Sequence, residues 1–285
     1  MEEKKKKKRH PVTLVILIIA LAVMIFSIVK LAGIQKDYKE SEKTFQTLES
    51  EYVVHPDGAG ALWQDGTRIQ FEALRKENPD IMAWLRFDNY NDVHISYPVL
   101  YSGDDETYLR SDIYGNYHIA GCIFLEGMNQ PDFSDYHSII YGHNMRNTTM
   151  FGDLKRYKND EGFYENNQYF NIYTDTQVLR YQIFSYYDVE QDDEVYTVGY
   201  GPDDTWQAMI DRMVTSSMKD TGIHPTKEDK IVTLSTCTGN ESTRFVVQGK
   251  RVDAEDADGA DGAATNTDST ADEENTDEIS LDIAG

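Results

Sequence analysis

Three side chains stand at the ends of apolar runs, where a buried strand gives way to a turn. Thr233-Leu234-Ser235-Thr236-Cys237 is an apolar strand pattern that closes on a thiol, and Arg244 opens the next such run seven residues later. His143 closes a third run upstream, in Tyr141-Gly142-His143-Asn144-Met145. Together these are the parts of a thiol acyl-transfer site. A thiolate attacks a carbonyl, an imidazole moves protons, and a guanidinium holds the developing oxyanion or the substrate backbone. Singly, each has a plainer explanation: a cysteine after an apolar strand is usually core, and a histidine at a strand end is usually packing or surface. The local sequence shifts that balance. Thr236-Cys237-Thr238-Gly239-Asn240 passes from strand to turn, which places the sulfur at a rim. A hairpin between the two runs would bring Arg244 alongside it, favouring the thiolate and offering several donors.

The elements that must position these groups read as mainly β. Met82–Phe87, Val93–Leu100, Gly121–Leu125, Ser138–His143, Gln168–Thr174, Gln177–Tyr187, Ile231–Thr236 and Arg244–Val252 are rich in Ile, Val, Tyr and Phe and bounded by Asp, Asn, Gly and Pro. Eight such strands without regular strand–helix alternation predict a closed barrel rather than a doubly wound sheet. One helix interrupts them. Asp203 or Asp204 can cap Trp206–Ser217, whose apolar face is Trp206, Met209, Ile210 and Met213. Ahead of the strands, Gln35–Val53 reads as an amphipathic helix, His55-Pro56-Asp57-Gly58 as a turn, and Phe71–Asn78 as a short helix stopped by Pro79.

The two chain ends differ from the middle. Lys4–Arg9 is wholly basic, and Pro11–Val29 is apolar apart from Thr13 and Ser27, a length near the lower limit for crossing a bilayer as a helix. No small-residue cleavage site follows before Lys30, which predicts a retained anchor over a removed signal. Basic flanks stay cytoplasmic, so everything after Lys30 is expected outside the cell. The net charge of −23 argues against a nucleic-acid surface as the use of the lysine run. Asp253–Gly285 carries twelve acidic and no basic residues and is expected to remain a solvated, disordered tail. The expected organisation is therefore a cytoplasmic basic segment at 1–10, an anchor at 11–30, a juxtamembrane helical segment at 31–70, a catalytic domain at 71–252 and the acidic tail at 253–285. Cys122 and Cys237 could in principle pair. A nucleophile must remain a thiol, so Cys122 is read as a small buried apolar residue.

At this point the residues resemble a known family. Thr233-Leu234-Ser235-Thr236-Cys237 matches the Thr-Leu-x-Thr-Cys signature of sortases, the cell-wall transpeptidases of Gram-positive bacteria. Ile140–Met145 and Met150–Leu154 are similar to the histidine segment of class B members, and Ala120–Leu125, Pro131–Ser134 and Arg244–Lys250 extend the likeness. The resemblance implies an eight-stranded sortase-type barrel with N-terminal helices and a helix-containing insert before the cysteine strand. It implies Cys237 as nucleophile, His143 as acid–base and Arg244 as the oxyanion or substrate-orienting group. Substrate contacts from Tyr141, Ser235, Thr236 and Tyr187 are also implied, with peptide choice influenced between Tyr187 and Lys230. No metal and no cofactor are implied. The expected partners are secreted proteins with a C-terminal sorting signal of the Asn-Pro-x-Thr type, and an amine of a peptidoglycan precursor or a pilin.

Two other readings compete. A peptidoglycan L,D-transpeptidase or another extracellular cysteine peptidase usually has its histidine close before the cysteine or after it. The order His143, Cys237, Arg244, with no later histidine, argues against both. A membrane-anchored β-barrel binding module without catalysis is opposed by the complete Cys, His and Arg set.

Overall fold

The computed structural model describes residues 11–55, 66–240 and 242–256; the basic N-terminal run, most of the turn after His55 and the greater part of the acidic tail lie outside them. Helix α1 runs unbroken from Pro11 to Tyr52. Its first half is exposed, and the helix is long and apolar enough to cross a membrane. Its second half docks on the body of the protein through Ser41, Phe45 and Leu48, which are buried and spaced four and three residues apart on one helix face. Phe45 meets Tyr97 edge-on with ring centroids 5.3 Å apart, and Tyr90 donates its hydroxyl to Glu49 at 2.9 Å. The sequence suggested two elements here, an apolar span and a separate amphipathic helix. They fuse because Leu31-Ala32-Gly33-Ile34 contains no proline, and one glycine costs a helix only about 1 kcal/mol. Helix α2 covers Phe71–Glu77 and stops where Asn78 turns extended, the conformation that Pro79 imposes on its predecessor.

The body is a closed eight-stranded barrel. In chain order the strands are β1 (Ile81–Phe87), β2 (Ser96–Leu100), β3 (Ile123–Leu125), β4 (His137–Tyr141), β5 (Tyr169–Tyr173), β6 (Gln177–Glu190), β7 (Ile231–Cys237) and β8 (Thr243–Asp256). Around the barrel they run β8-β6-β5-β1-β2-β3-β4-β7, with β7 and β8 closing the ring. The pairs β2–β3 and β4–β7 are parallel and the others antiparallel. Because β4 and β7 run the same way, both end at one rim, and β8 starts from it. Tyr141 pairs with Ser235, and Cys237 pairs with Arg244.

Strand β7 is buried along six of its seven residues, since Val232 and Leu234 join the barrel core while Ile231 lies under a second apolar cluster. A strand covered on both faces reads as a continuous apolar run rather than an alternating one. The second cluster is built by helix α3, Asp204–Ser216, whose N-terminus is capped by the Asp203 carboxylate accepting from the N–H groups of Thr205 and Trp206. Trp206, Met209, Ile210 and Met213 bury against Phe184, Tyr187, Val189, Val195, Ile231 and Val246. The α3 face read from the sequence is thus the one that docks.

Strand β8 outlasts its expected end. Asp253, Ala254, Glu255 and Asp256 pair with Arg180, Leu179, Val178 and Gln177, beyond the boundary at Val252 that composition suggested. Backbone hydrogen bonds to the long β6 hold these residues whatever their side-chain charge. The expectation of a disordered tail for 257–285 falls outside the described residues.

Candidate active site

A cavity of about 290 Å³ opens at the rim where β4, β7 and β8 meet. Cys237, His143 and Arg244 all line it, together with Tyr141, Gly142, Ser235 and Thr236. Strand pairing places Cys237 and Arg244. Cys237 is the last residue of β7 and half-buried, and its register partner across the hairpin is Arg244. The Arg244 guanidinium is steadied by the Thr243 carbonyl at 3.0 Å and by Oε1 of Gln191 at 3.3 Å. The Cys237 carbonyl accepts from Nδ2 of Asn144 at 2.8 Å, which ties the end of the cysteine strand to the histidine segment.

His143 lies two residues beyond β4, in irregular chain. The Gly142 N–H donates to the Ser235 carbonyl at 3.1 Å, extending the β4–β7 ladder by one bond. A Cβ on Gly142 would come within 2.7 Å of the Phe151 ring, so glycine is what lets that ring pack against the chain there. The His143 carbonyl then accepts from the N–H groups of Met145 and Phe151, at 3.1 and 3.0 Å. Its ring is oriented by one bond, from Nε2 to the Leu109 carbonyl at 2.8 Å. A carbonyl only accepts, so Nε2 carries the hydrogen in the neutral ring and Nδ1 is left as the basic nitrogen. Burial holds the imidazole below its usual pKa; the Leu109 carbonyl opposes this, and the positive charges of Arg110 and Arg244 add to it.

The other wall comes from the long connection between β6 and α3. Tyr196 stacks on Tyr141 at a centroid distance of 6.3 Å, and its hydroxyl shares a 2.9 Å hydrogen bond with Ser235 Oγ. It sits on a single 3₁₀ turn, Glu194–Tyr196, where the Asp193 carboxylate accepts from the Val195 N–H. Asp193 also pairs with Arg212 of α3, so the insert helix braces this wall from behind without lining the cavity itself. Thr236 is buried, and its hydroxyl has no hydrogen-bond partner among the described residues.

Of the residues that sequence reading put forward, His143, Cys237, Arg244, Tyr141, Ser235 and Thr236 converge on this cavity. Tyr187 does not. It pairs with Val246 within the barrel wall and is buried beneath α3, so the aromatic side chain from that part of the chain is Tyr196. An alternating strand pattern does not say which face of β6 α3 will cover, nor that the chain beyond Glu190 turns Tyr196 back to the cavity. Asp105, Leu109 and Gln191 also line the cavity and carried no sequence signal, since each arrives from a loop; Phe124 of β3 lines it too and lay in the Ala120–Leu125 segment, but was not singled out as a site residue.

Cys122 has a different environment. It is fully buried in the main core, its thiol donates to the Ser111 carbonyl at 3.3 Å, and burial pushes its pKa far above the usual thiol range. Both cysteines are free thiols.

Comparison with known proteins agrees with this geometry. A family model described as a sortase domain matches residues 90–252. The sortase B of Staphylococcus aureus is 28% identical over 213 residues, covering 74% of this chain and 81% of that protein. The sortase B of Listeria monocytogenes is 28% identical over 238 residues, covering 82% and 94%. Among solved structures, sortase B from Bacillus anthracis in complex with AAEK1 superposes with a TM-score of 0.65 at 27% identity, covering 76% of this chain and 98% of that one. The chain therefore belongs to the sortase family of cysteine transpeptidases, and within it to class B.

Proposed function

We propose that the enzyme cleaves a C-terminal sorting signal of the Asn-Pro-x-Thr type in secreted proteins and transfers the new threonine carboxyl end to an amine. The observation that carries this reading is the convergence of Cys237, His143 and Arg244 on one open cavity. Cys237 gives its proton to Nδ1 of His143, and the thiolate adds to the threonine carbonyl. The oxyanion that forms meets the Arg244 guanidinium, which faces Cys237 across the β7–β8 ladder. Collapse of this intermediate breaks the peptide C–N bond, and the imidazolium protonates the departing amine, leaving a thioester on Cys237. An amine of a peptidoglycan precursor or of a pilin then attacks the thioester. It loses a proton to His143, and the thiolate leaves. The roles of the three residues fit the geometry: the thiol is half-buried at a rim, and the base is a neutral imidazole with its free nitrogen defined by the Leu109 contact.

The apolar half of α1 supports a single-pass anchor with a cytoplasmic N-terminus and the barrel outside, with 1–10, 11–30 and 31–70 as its cytoplasmic, spanning and juxtamembrane segments. Such tethering raises the effective concentration of substrates emerging at the same membrane. The test is turnover of a fluorogenic Asn-Pro-x-Thr peptide against a Leu-Pro-x-Thr-Gly peptide, with mass spectrometry of the acyl-enzyme. A thioester on Cys237 from the first peptide is expected. Preference for the second would overturn the assigned signal, and an acyl adduct elsewhere would overturn the assigned nucleophile.

A further inference from the structure

The connection from Thr107 to Gly121 offers no side chain to the proton transfers above, yet among the described residues it holds the one hydrogen bond to the ring of His143, that of the Leu109 carbonyl. That carbonyl closes a short 3₁₀ turn, Thr107–Leu109. The Asp104 carboxylate organises the turn by accepting from the N–H groups of Glu106 and Thr107, at 2.8 and 2.7 Å, and from the Thr107 hydroxyl at 2.7 Å. Behind the turn lies Gly121, at φ +54°. A Cβ on Gly121 would sit 2.6 Å from the Leu109 oxygen and 2.6 Å from the Tyr108 oxygen, closer than any carbon–oxygen contact tolerates. The next residue, Cys122, donates its N–H to the Tyr108 carbonyl at 3.0 Å. The loop is closed by His118, whose N–H donates to the Arg110 carbonyl at 2.8 Å and whose Nε2 donates to the Asp37 carbonyl of α1 at 3.0 Å.

We propose that Gly121 is a positioning residue for His143, acting through the Leu109 carbonyl that its missing side chain allows to lie against it. In a nucleophile–base pair a third group fixes the tautomer and aim of the base. Here that group is a backbone oxygen, so its place is decided by what packs behind it. A side chain on Gly121 drives the oxygen away from Nε2, and the ring loses the contact that fixes its aim. The charged groups around the imidazole are Arg110 and Arg244, with Cys237 and Asp105 on the same cavity and the phenols of Tyr141 and Tyr196 beside them. Losing the Nε2–H bond to Leu109 removes the one contact that favours the imidazolium against burial and the two arginines, so the histidine pKa falls further. The proposal rests on His143 being the acid–base group.

Gly121→Ala tests this, with Gly115→Ala as its control. Gly115 has φ +79° in the same loop and nothing within 4 Å of an added Cβ, so it carries the backbone strain without the collision. NMR titration of labelled His143 and the pH dependence of Cys237 alkylation are measured without any substrate; kcat and KM follow on the Asn-Pro-x-Thr peptide. In Gly121→Ala the His143 titration should shift to lower pH with loss of the Nε2-protonated tautomer. kcat should fall about tenfold or more, with KM within about twofold of the parent. Gly115→Ala should match the parent. A parental titration and kcat in Gly121→Ala, or an equal loss in Gly115→Ala, overturns the proposal. If Gly121→Ala does not fold, Asp104→Ala, which frees the same turn at an exposed position, must show the same direction of shift, and a parental His143 titration there counts against it. A parent enzyme that alkylates normally but ignores the peptide would fault the substrate assignment and leave the histidine measurement decisive.

Discussion

The two halves of the site are held by different physics. Cys237 and Arg244 face each other because β7 and β8 form an antiparallel hairpin whose register runs from Cys237↔Arg244 to Ile231↔Lys250. A one-residue slip would turn every buried side chain of β7 to the wrong face, so the whole apolar pattern enforces this pairing. His143 has no such backing. It lies beyond the end of β4, held by single hydrogen bonds to irregular chain and by close glycine contacts at Gly142 and Gly121. The cysteine half is therefore stabilised by many cooperative contacts, whereas the histidine half rests on a few local ones. Substitutions in the first should disturb chemistry while sparing geometry, and substitutions around the second should disturb geometry first.

The sharpest break is Cys237→Ala, which should abolish peptide cleavage and acyl-enzyme formation while leaving the unfolding midpoint near that of the parent. Cys122→Ala serves as its counterpart and should retain most activity, because that thiol is buried and bonded to Ser111. Activity in the Cys237 variant with a dead Cys122 variant would reverse the assignment. Next in size is Arg244→Lys, which keeps the charge and the strand pairing but loses the planar fork. A drop of about a hundredfold in kcat/KM is expected by analogy with loss of an oxyanion donor; near-parental turnover would show that positive charge alone suffices.

Asn144→Ala cuts a side-chain clip between the two halves at the rim, its bond to the Cys237 carbonyl. Rate should fall about tenfold through misalignment, with a stability cost of about 1 kcal/mol for the lost hydrogen bond. A stability loss with unchanged kcat would mean that the halves align without the clip.

The smallest effect on catalysis, though not on stability, concerns His137 behind the cysteine strand. Its Nδ1 donates to the Thr197 carbonyl at 2.9 Å, and its Nε2 accepts from the Thr233 hydroxyl at 2.8 Å. Burial pushes this imidazole down to about 4 from 6.5. The unfolded chain therefore takes up the proton first as pH falls. Stability is fully present above about 6.5 and is lost on acidification towards 4, by roughly 3 kcal/mol at most. Urea midpoints at pH 7 and 4.5 measure this, and His137→Gln should flatten the difference. A midpoint insensitive to His137 would place the acid lability elsewhere.

Much of this is legible in the sequence. The strand runs, the α3 face and the cap at its start follow from local patterning that tertiary packing reinforces. The exceptions are instructive. Apolar span and amphipathic helix merged into one α1 because chain continuity is not written in hydropathy. Strand β8 ran past Val252 because ladder bonding depends on the partner strand, not on the acidic side chains of Asp253–Asp256.

Sequence by itself determined the nucleophile, base and arginine candidates, since residue type and position at a strand end are local properties. It also determined the barrel class, because eight period-two runs without alternating helices leave few ways to bury their apolar faces. Which aromatic walls the cavity, Tyr196 rather than Tyr187, was decided only by how the β6–α3 connection folds back under the Asp193–Arg212 pair. Which nitrogen of His143 is free was decided by a carbonyl thirty-four residues away. Contacts between segments distant in sequence depend on the closure of the whole barrel, and no short-range pattern encodes them.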